Sequence, residues 1–291
     1  MDSLKFVYCG LGDIPALSEV LAELHPLLRR LRDLFQLQWT EFESAYVHIA
    51  AADWDSAVAS VEAGIEVNRR AGYPGQAAGF VATLGWLARI RGHDAEAVAQ
   101  GRRALAITDQ YPHPWTYAAI RAMLGGTLLL TGERAEAITL FEQGLVAARE
   151  SGMESFLLRC AAPLAEATGS AQLLAEATDL LAAASLPAGG AWVLGDDAYL
   201  SLARAWIGHG DAERARAILA PLLSVASRVP WIATEAAALA VDGQALLRLG
   251  QTGPAATALR RSVHLAREHG LPHVLREARA AQRTIRPAAT R

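Results

Sequence analysis

From Leu124 to Gly152 the chain reads LGGTLLLTGERAEAITLFEQGLVAARESG. An apolar run ends at Gly132, a turn follows, and the next segment carries Ala135, Ile138, Phe141, Leu145 and Ala148. Steps of three and four place these five residues on one face of a helix, whereas a strand needs steps of two. The stretch is a helix, a tight turn and a second helix.

The rest of the chain reads as imperfect copies of this unit. With the last residue before each turn as an anchor, the anchors are Ala52, Gly92, Gly132, Gly169, Gly210 and Gly250, at intervals of 40, 40, 37, 41 and 40 residues. Seven residues before them stand Ala45, Gly85, Gly125, Ala162, Ala203 and Gly243, all small. Five residues after them stand Ala57, Ala97, Ala137, Leu174, Ala215 and Ala255, of which five are small. Antiparallel helices approach closely where neither carries a bulky side chain at the crossing, so a small residue on one helix meets another twelve places later.

Composition narrows the functional classes. With 291 residues, 52% of them hydrophobic, the chain builds a large core in one or two domains. Basic and acidic residues number 27 and 30, for a formal charge of -3, which argues against a general polyanion-binding surface. Lys5 is the only lysine, so a lysine-based phosphate loop is ruled out and anion recognition falls to arginine. Cys9 and Cys160 are the only cysteines; two such thiols make neither a disulfide framework nor a zinc site and suggest a reducing, cytoplasmic setting. No secretion signal and no uncharged apolar run long enough to span a membrane is evident.

In chain order, residues 1–13 have no clear periodicity. Phe6, Val7 and Tyr8 suit a short strand without a partner, so the segment is read as an arm packing on the first helix or the scar of a longer protein. A helix follows from Pro15 to about Phe35, with Leu17, Val20, Leu21, Leu24, Leu28 and Leu31 on one side and Pro26 as a potential kink. Helix pairs are then expected at 37–52 with 55–71, 75–91 with 94–109, 114–131 with 133–150, 154–168 with 170–184, 192–209 with 211–226, and 231–249 with 254–268. The flexible-looking link Leu186–Gly190 is a candidate bend, although the period continues through it. A helix from Pro272 to Ile285 caps the stack and 286–291 fray. The organisation is thus an N-terminal arm and capping helix over 1–36, six helix pairs over 37–268, and a C-terminal cap and tail over 269–291.

Over 37–268 these repeats resemble the tetratricopeptide repeat (TPR) family. They are most similar to the long-helix variety behind the ATPase domain of large bacterial transcription activators of the maltose-regulator type. The family's small first-helix residue is matched by Gly85, Gly125, Ala203 and Gly243, its small second-helix residue by Ala97, Ala137, Ala215 and Ala255, and its bulky one by Phe141, Leu219 and Leu259. The period departs from the family's 34, and Arg121 replaces an early aromatic residue. The resemblance implies an all-α, right-handed α-solenoid. It also implies a regulatory role in which a concave face binds an inducer or partner, although the regulators' nucleotide-binding and DNA-binding parts have no counterpart in the sequence.

In the family, positions thirteen, ten, six, three and two before the anchor face inward. Transferred here, they give an aromatic first half with Trp39, Phe42, Tyr46 and Trp86, and a middle of small residues. The second half carries polar groups, and the candidate ligand contacts continue with Arg89, Phe156, Arg159, Glu166, Asp197, Arg204, Gln244 and Arg248. Converging arginines suit a carboxylate or phosphate, or else pair with Glu166 and Asp197 within the groove. Of the other tryptophans in or near first helices, Trp206 and Trp231 suit packing, and Trp115 and Trp192 join the candidates for ring stacking.

Catalysis is poorly signposted, with no HExxH, GxSxG or dinucleotide loop. His264, Glu268, His269 and His273 lie close in sequence but not on one helical face, and Asp196 and Asp197 suit a helix start. Neither a metal nor a cofactor is called for. The reading is therefore a noncatalytic regulatory or scaffolding module that recognises a protein partner or effector through its concave face. The alternative is a sensor for a largely apolar small molecule bearing an acid or sugar. Third is an enzyme using Tyr46, Asp197 or Glu166. Scattered arginine pairs such as Arg102-Arg103 leave direct nucleic-acid binding last.

Overall fold

The computed structural model describes residues 2–152, 154–183, 196–226 and 229–285. Among these residues there are fifteen helices and no strand. They are α1 Asp2–Leu11, α2 Ile14–Leu31, α3 Leu34–Ala50, α4 Trp54–Ala71, α5 Pro74–Ile90, α6 Asp94–Gln110, α7 Pro114–Thr131 and α8 Arg134–Ser151. There follow α9 Glu154–Thr168, α10 Ala171–Ala183, α11 Asp196–Gly208, α12 Ala212–Ala226, α13 Ile232–Arg248, α14 Thr252–Glu268 and α15 Pro272–Arg283. Consecutive helices pack as antiparallel pairs. No helix of the described residues is long and apolar enough to cross a membrane. The Leu186–Gly190 link, the start of the fifth expected pair with Trp192, and the tail 286–291 lie outside the described residues.

All six anchors adopt the left-handed backbone that ends a helix, with φ of 56° at Ala52 and 69° to 96° at the five glycines. A polar residue follows at the N-cap position, and after three of the six anchors its side chain accepts from the first turn of the next helix. Asp53 accepts from the Ser56 amide at 3.2 Å, and Asp211 from the Arg214 amide at 2.9 Å. The same device occurs earlier than expected. Gly12 and Arg32 also have positive φ, and Asp13 and Asp33 cap α2 and α3. Residues 2–11 are thus helix and not strand, and they pack on the next helix as an arm would: α1 and α2 form a helix pair whose turn lies forty residues before Ala52. The helix expected to run through Phe35 ends at Leu31 for the same reason.

The small residues at the crossings are buried, and their neighbours refine the packing argument. A Cβ on Gly85 would lie 3.1 Å from the Ala97 carbonyl oxygen, the expected contact twelve residues on. On Gly125 it would lie 2.6 Å from the Phe141 ring, and on Gly243 2.5 Å from Leu259. In those pairs the missing side chain makes room for the bulky residue of the second helix. Arg121, the departure from the family pattern, is buried with its guanidinium 3.5 Å over the Tyr117 ring and 2.8 Å from Asp109. The Tyr117 ring and the Asp109 carboxylate compensate its charge.

The stack returns onto its own start. The Trp54 indole donates to the His269 carbonyl at 2.8 Å, His273 Nε2 lies 2.7 Å from Asp94 Oδ1, and the Trp231 indole donates to the Gly12 carbonyl at 3.4 Å. Trp54 and Ile90 pack on the buried cluster of Ala236, Leu265, Ala266 and Leu271. Gly92 fits the seam because a Cβ there would lie 2.4 Å from Pro272 Cγ.

Two consequences are measurable. Gly125→Ala gains about 1 kcal/mol of helix propensity but overpacks a buried ring, which costs about 1–3 kcal/mol. Its urea midpoint should fall, while that of Gly253→Ala, where nothing lies within 4 Å, should not. Equal midpoints would mean that Phe141 relaxes freely. Gly92→Ala and Gly132→Ala both strain a left-handed turn, by about 1–2 kcal/mol, but only the first meets the seam. Hydrogen exchange should accelerate in Pro272–Arg283 for Gly92→Ala and not for Gly132→Ala; matching exchange maps would deny a tight seam.

Candidate functional site

The first helices of the pairs surround a cavity of about 830 Å³. From α5 come Arg89 and Ile90; from α7, Ala122, Met123, Gly126 and Leu129; from α9, Arg159, Pro163 and Glu166. Asp197, Leu200, Ser201 and Arg204 come from α11, Ala233 and Ala237 from α13, and Val274, Glu277 and Ala280 from α15. Small residues on α7 and α13 provide the room. Pro163 lacks the amide that would bond the Arg159 carbonyl, which loosens α9 at this wall.

The candidate residues divide into two groups. Arg89, Arg159, Glu166, Asp197 and Arg204 line one cavity. The aromatic half does not. Phe42, Tyr46 and Trp86 are buried in the main core, and Trp39 packs against it with its ring 5.2 Å from Phe80. That core also holds Cys9 from α1 and Trp231 and Ala237 from the returning end of the chain, which together cover the face expected to be open. The Trp86 indole N–H has no acceptor among the described residues. Phe156 is half-buried with Arg159 5.4 Å over its ring, Gln244 donates to Glu277 at 2.8 Å, and Arg248 is exposed away from the cavity.

Asp94 from α6 and His273, Arg276 and Glu277 from α15 also line the cavity; inward positions of first helices leave out the former, and treating α15 as a cap leaves out the latter. Continuing the forty-residue register one step past Gly250 places Glu277 and Ala280 at the inward positions thirteen and ten. Applied at Gly12, it places Cys9 at the inward position three. His264 and His269, by contrast, lie 3.2 and 3.9 Å from Glu268, while His273 faces Asp94.

Most cavity charges are paired. Arg204 donates two hydrogen bonds to Glu277, at 3.0 and 2.9 Å, and Arg89 pairs with Asp197. Burial disfavours the charge on Glu277, but Arg204 and the Gln244 amide outweigh it and hold its carboxyl below the ordinary value. Burial likewise opposes the charge on Arg204, which Glu277, Glu166 and Asp197 overcome, so its pKa is raised. Glu166 differs. Burial raises its pKa, and Arg204 and the Ser201 hydroxyl only partly offset this, while Glu277 and Asp197 add repulsion. Burial also raises the Tyr46 phenol and the Cys9 thiol, and pushes the Cys160 thiol to about 12. Both cysteines are free.

No protein-family model matches the chain, and no curated protein does. Solved structures do. The chain is similar to the Rap conjugation gene regulator of plasmid pLS20 in complex with the Phr* peptide, at 14% identity over 87% of this chain and 75% of that one, with a TM-score of 0.57. It is similar to a Rap protein complexed with Competence and Sporulation Factor, at 14% identity, 92% and 79% coverage and a TM-score of 0.55. A third is the apo form of RapI, at 12% identity, 84% and 97% coverage and a TM-score of 0.54. The fold is a TPR-like helical repeat.

The Glu166 environment sets a pH signature. A carboxyl raised in the folded state costs stability above its unfolded value near 4.5 and nothing once both states are protonated. Glu166→Gln should therefore raise the urea midpoint at pH 7, with the gain vanishing as pH falls below that value. For Glu277, whose pKa is lowered, the sign reverses: its stabilisation is present above 4.5 and lost as pH falls through its folded value. A Glu166→Gln gain that grows on acidification would contradict the assignment.

Proposed function

We propose that the protein is a noncatalytic regulatory module that recognises an effector inside the cavity and a protein partner through the assembled repeat. One observation carries the reading: charged groups from four first helices converge on a space of about 830 Å³ within an otherwise apolar ring. Sites for small ligands have roughly 300–1,000 Å³ and a few polar groups set among apolar walls. The paired charges support binding rather than proton transfer, because Arg89–Asp197 and Arg204–Glu277 already satisfy one another. The Rap structures, one in complex with the Phr* peptide and another with Competence and Sporulation Factor, lend support by analogy of fold.

The effector reading is favoured over a partner docked along the whole concave face because Phe42, Tyr46 and Trp86 are buried. Native and denatured mass spectra of protein purified gently from its original host test the choice. The expected result is a discrete extra mass lost on denaturation. It should be absent from Ala280→Trp, which obstructs the cavity from an exposed position on α15. A bare chain accompanied by a co-purifying polypeptide would sink the effector reading and leave the scaffold.

A further inference from the structure

On α9, Arg159, Pro163 and Glu166 all line the cavity. Arg159 and Glu166 are seven residues apart, two helical turns, so they share a face and their Cα atoms stand about 10 Å apart. One wall thus carries a cation at one end, an anion at the other and a proline ring between them. The other cavity charges form their own contacts: Arg89 with Asp197, Arg204 with Glu277, and His273 with both Asp94 and Arg276.

The two ends differ in character. Glu166 accepts from the Ser201 hydroxyl and lies in the field of Arg204, but that guanidinium already makes two hydrogen bonds to Glu277. With Asp197 and Glu277 nearby, the Glu166 end is a region of negative potential. At the other end Arg159 sits over the Phe156 ring, with its charge felt by Tyr46 and Cys160. A guanidinium has five donors, enough to receive a further carboxylate whatever else it contacts. Between the ends, Leu129 and Leu200 offer apolar contact.

We propose that the cavity takes a linear zwitterion, its carboxylate on Arg159 and its ammonium on Glu166, with the two charges separated by about two helical turns. The inference rests on the effector reading above and names its ligand class. An extended peptide advances about 3.3–3.6 Å per residue, so a peptide of about three residues with free termini has the required span. An ω-amino acid of similar length has the same chemistry without peptide groups. The cavity volume accommodates either.

The test is calorimetric titration of the full chain with trialanine, its N-acetyl form, its C-terminal amide and ω-aminooctanoic acid. Free trialanine should bind about tenfold or more tightly than either blocked form, since each block removes a charge-assisted hydrogen bond. Glu166→Gln should erase the advantage of the free amine while keeping that of the free carboxylate. Arg159→Gln should do the reverse, and Arg159→Lys should restore part of the loss. Thermal melts of each variant exclude misfolding as the cause. Equal binding of trialanine and ω-aminooctanoic acid would support the class through charge spacing alone; preference for trialanine would support it with peptide recognition. Blocked and free peptides binding alike, or neither zwitterion binding at about millimolar concentration, would overturn the proposal. If a retained ligand of another charge type is still lost in Ala280→Trp, the effector reading survives that failure; if no ligand of any kind is retained, the effector reading fails with it.

Discussion

The architecture depends on how closely the two helices of a pair can lie. Gly85 nearly touches the Ala97 carbonyl, and Gly125 leaves room that the Phe141 ring occupies. No single pair can bury both its faces, so each helix pair hands an apolar surface to the next. Close crossings with a constant period fix a constant rotation per pair, and a constant rotation carried through enough pairs curves the stack back toward its beginning. The seam at Trp54, Gly92, His269 and Pro272 is where that curvature is used up.

Closure changes what the inner face is for. In an open superhelix, aromatic residues at inward positions would be a binding surface; here Phe42, Tyr46 and Trp86 become core, covered by α1 and by the returning repeats. The space that remains lies along α7, α9 and α11, where glycine, alanine and proline occupy inward positions and arginines and carboxylates reach between them.

The sequence made the anchors, the small crossings and the polar half of the cavity legible, because each repeats at a fixed offset and reflects a local requirement. The first helix pair was hidden because Lys5 stands where the other repeats carry a small residue, and Arg32 stands in a left-handed position usually given to glycine. Lys5 is tolerated there because it is buried 2.6 Å from Glu43. Closure was hidden for a different reason. Trp54 meets His269 across 215 residues, and no periodic signal reports which two ends of a stack will touch. Without closure, α15 reads as a cap, and Glu277, His273 and Arg276 drop out of the site.

The helix that seals the seam also lines the cavity. On α15, His273 faces Asp94 across the seam, and one turn further Glu277 holds Arg204 from the opposite wall. A group that competes for Arg204, or that lends Glu166 a cation and so relieves its repulsion with Glu277, alters the energy of one of the contacts that hold α15. By linkage, the closed ring and an opened one then differ in affinity for that group by the same free energy with which the group shifts closure. A ligand confined to α9 alone would leave the seam indifferent. One that engages the network around Arg204 reaches the seam through α15, which carries both Glu277, the partner of Arg204, and His273, the partner of Asp94.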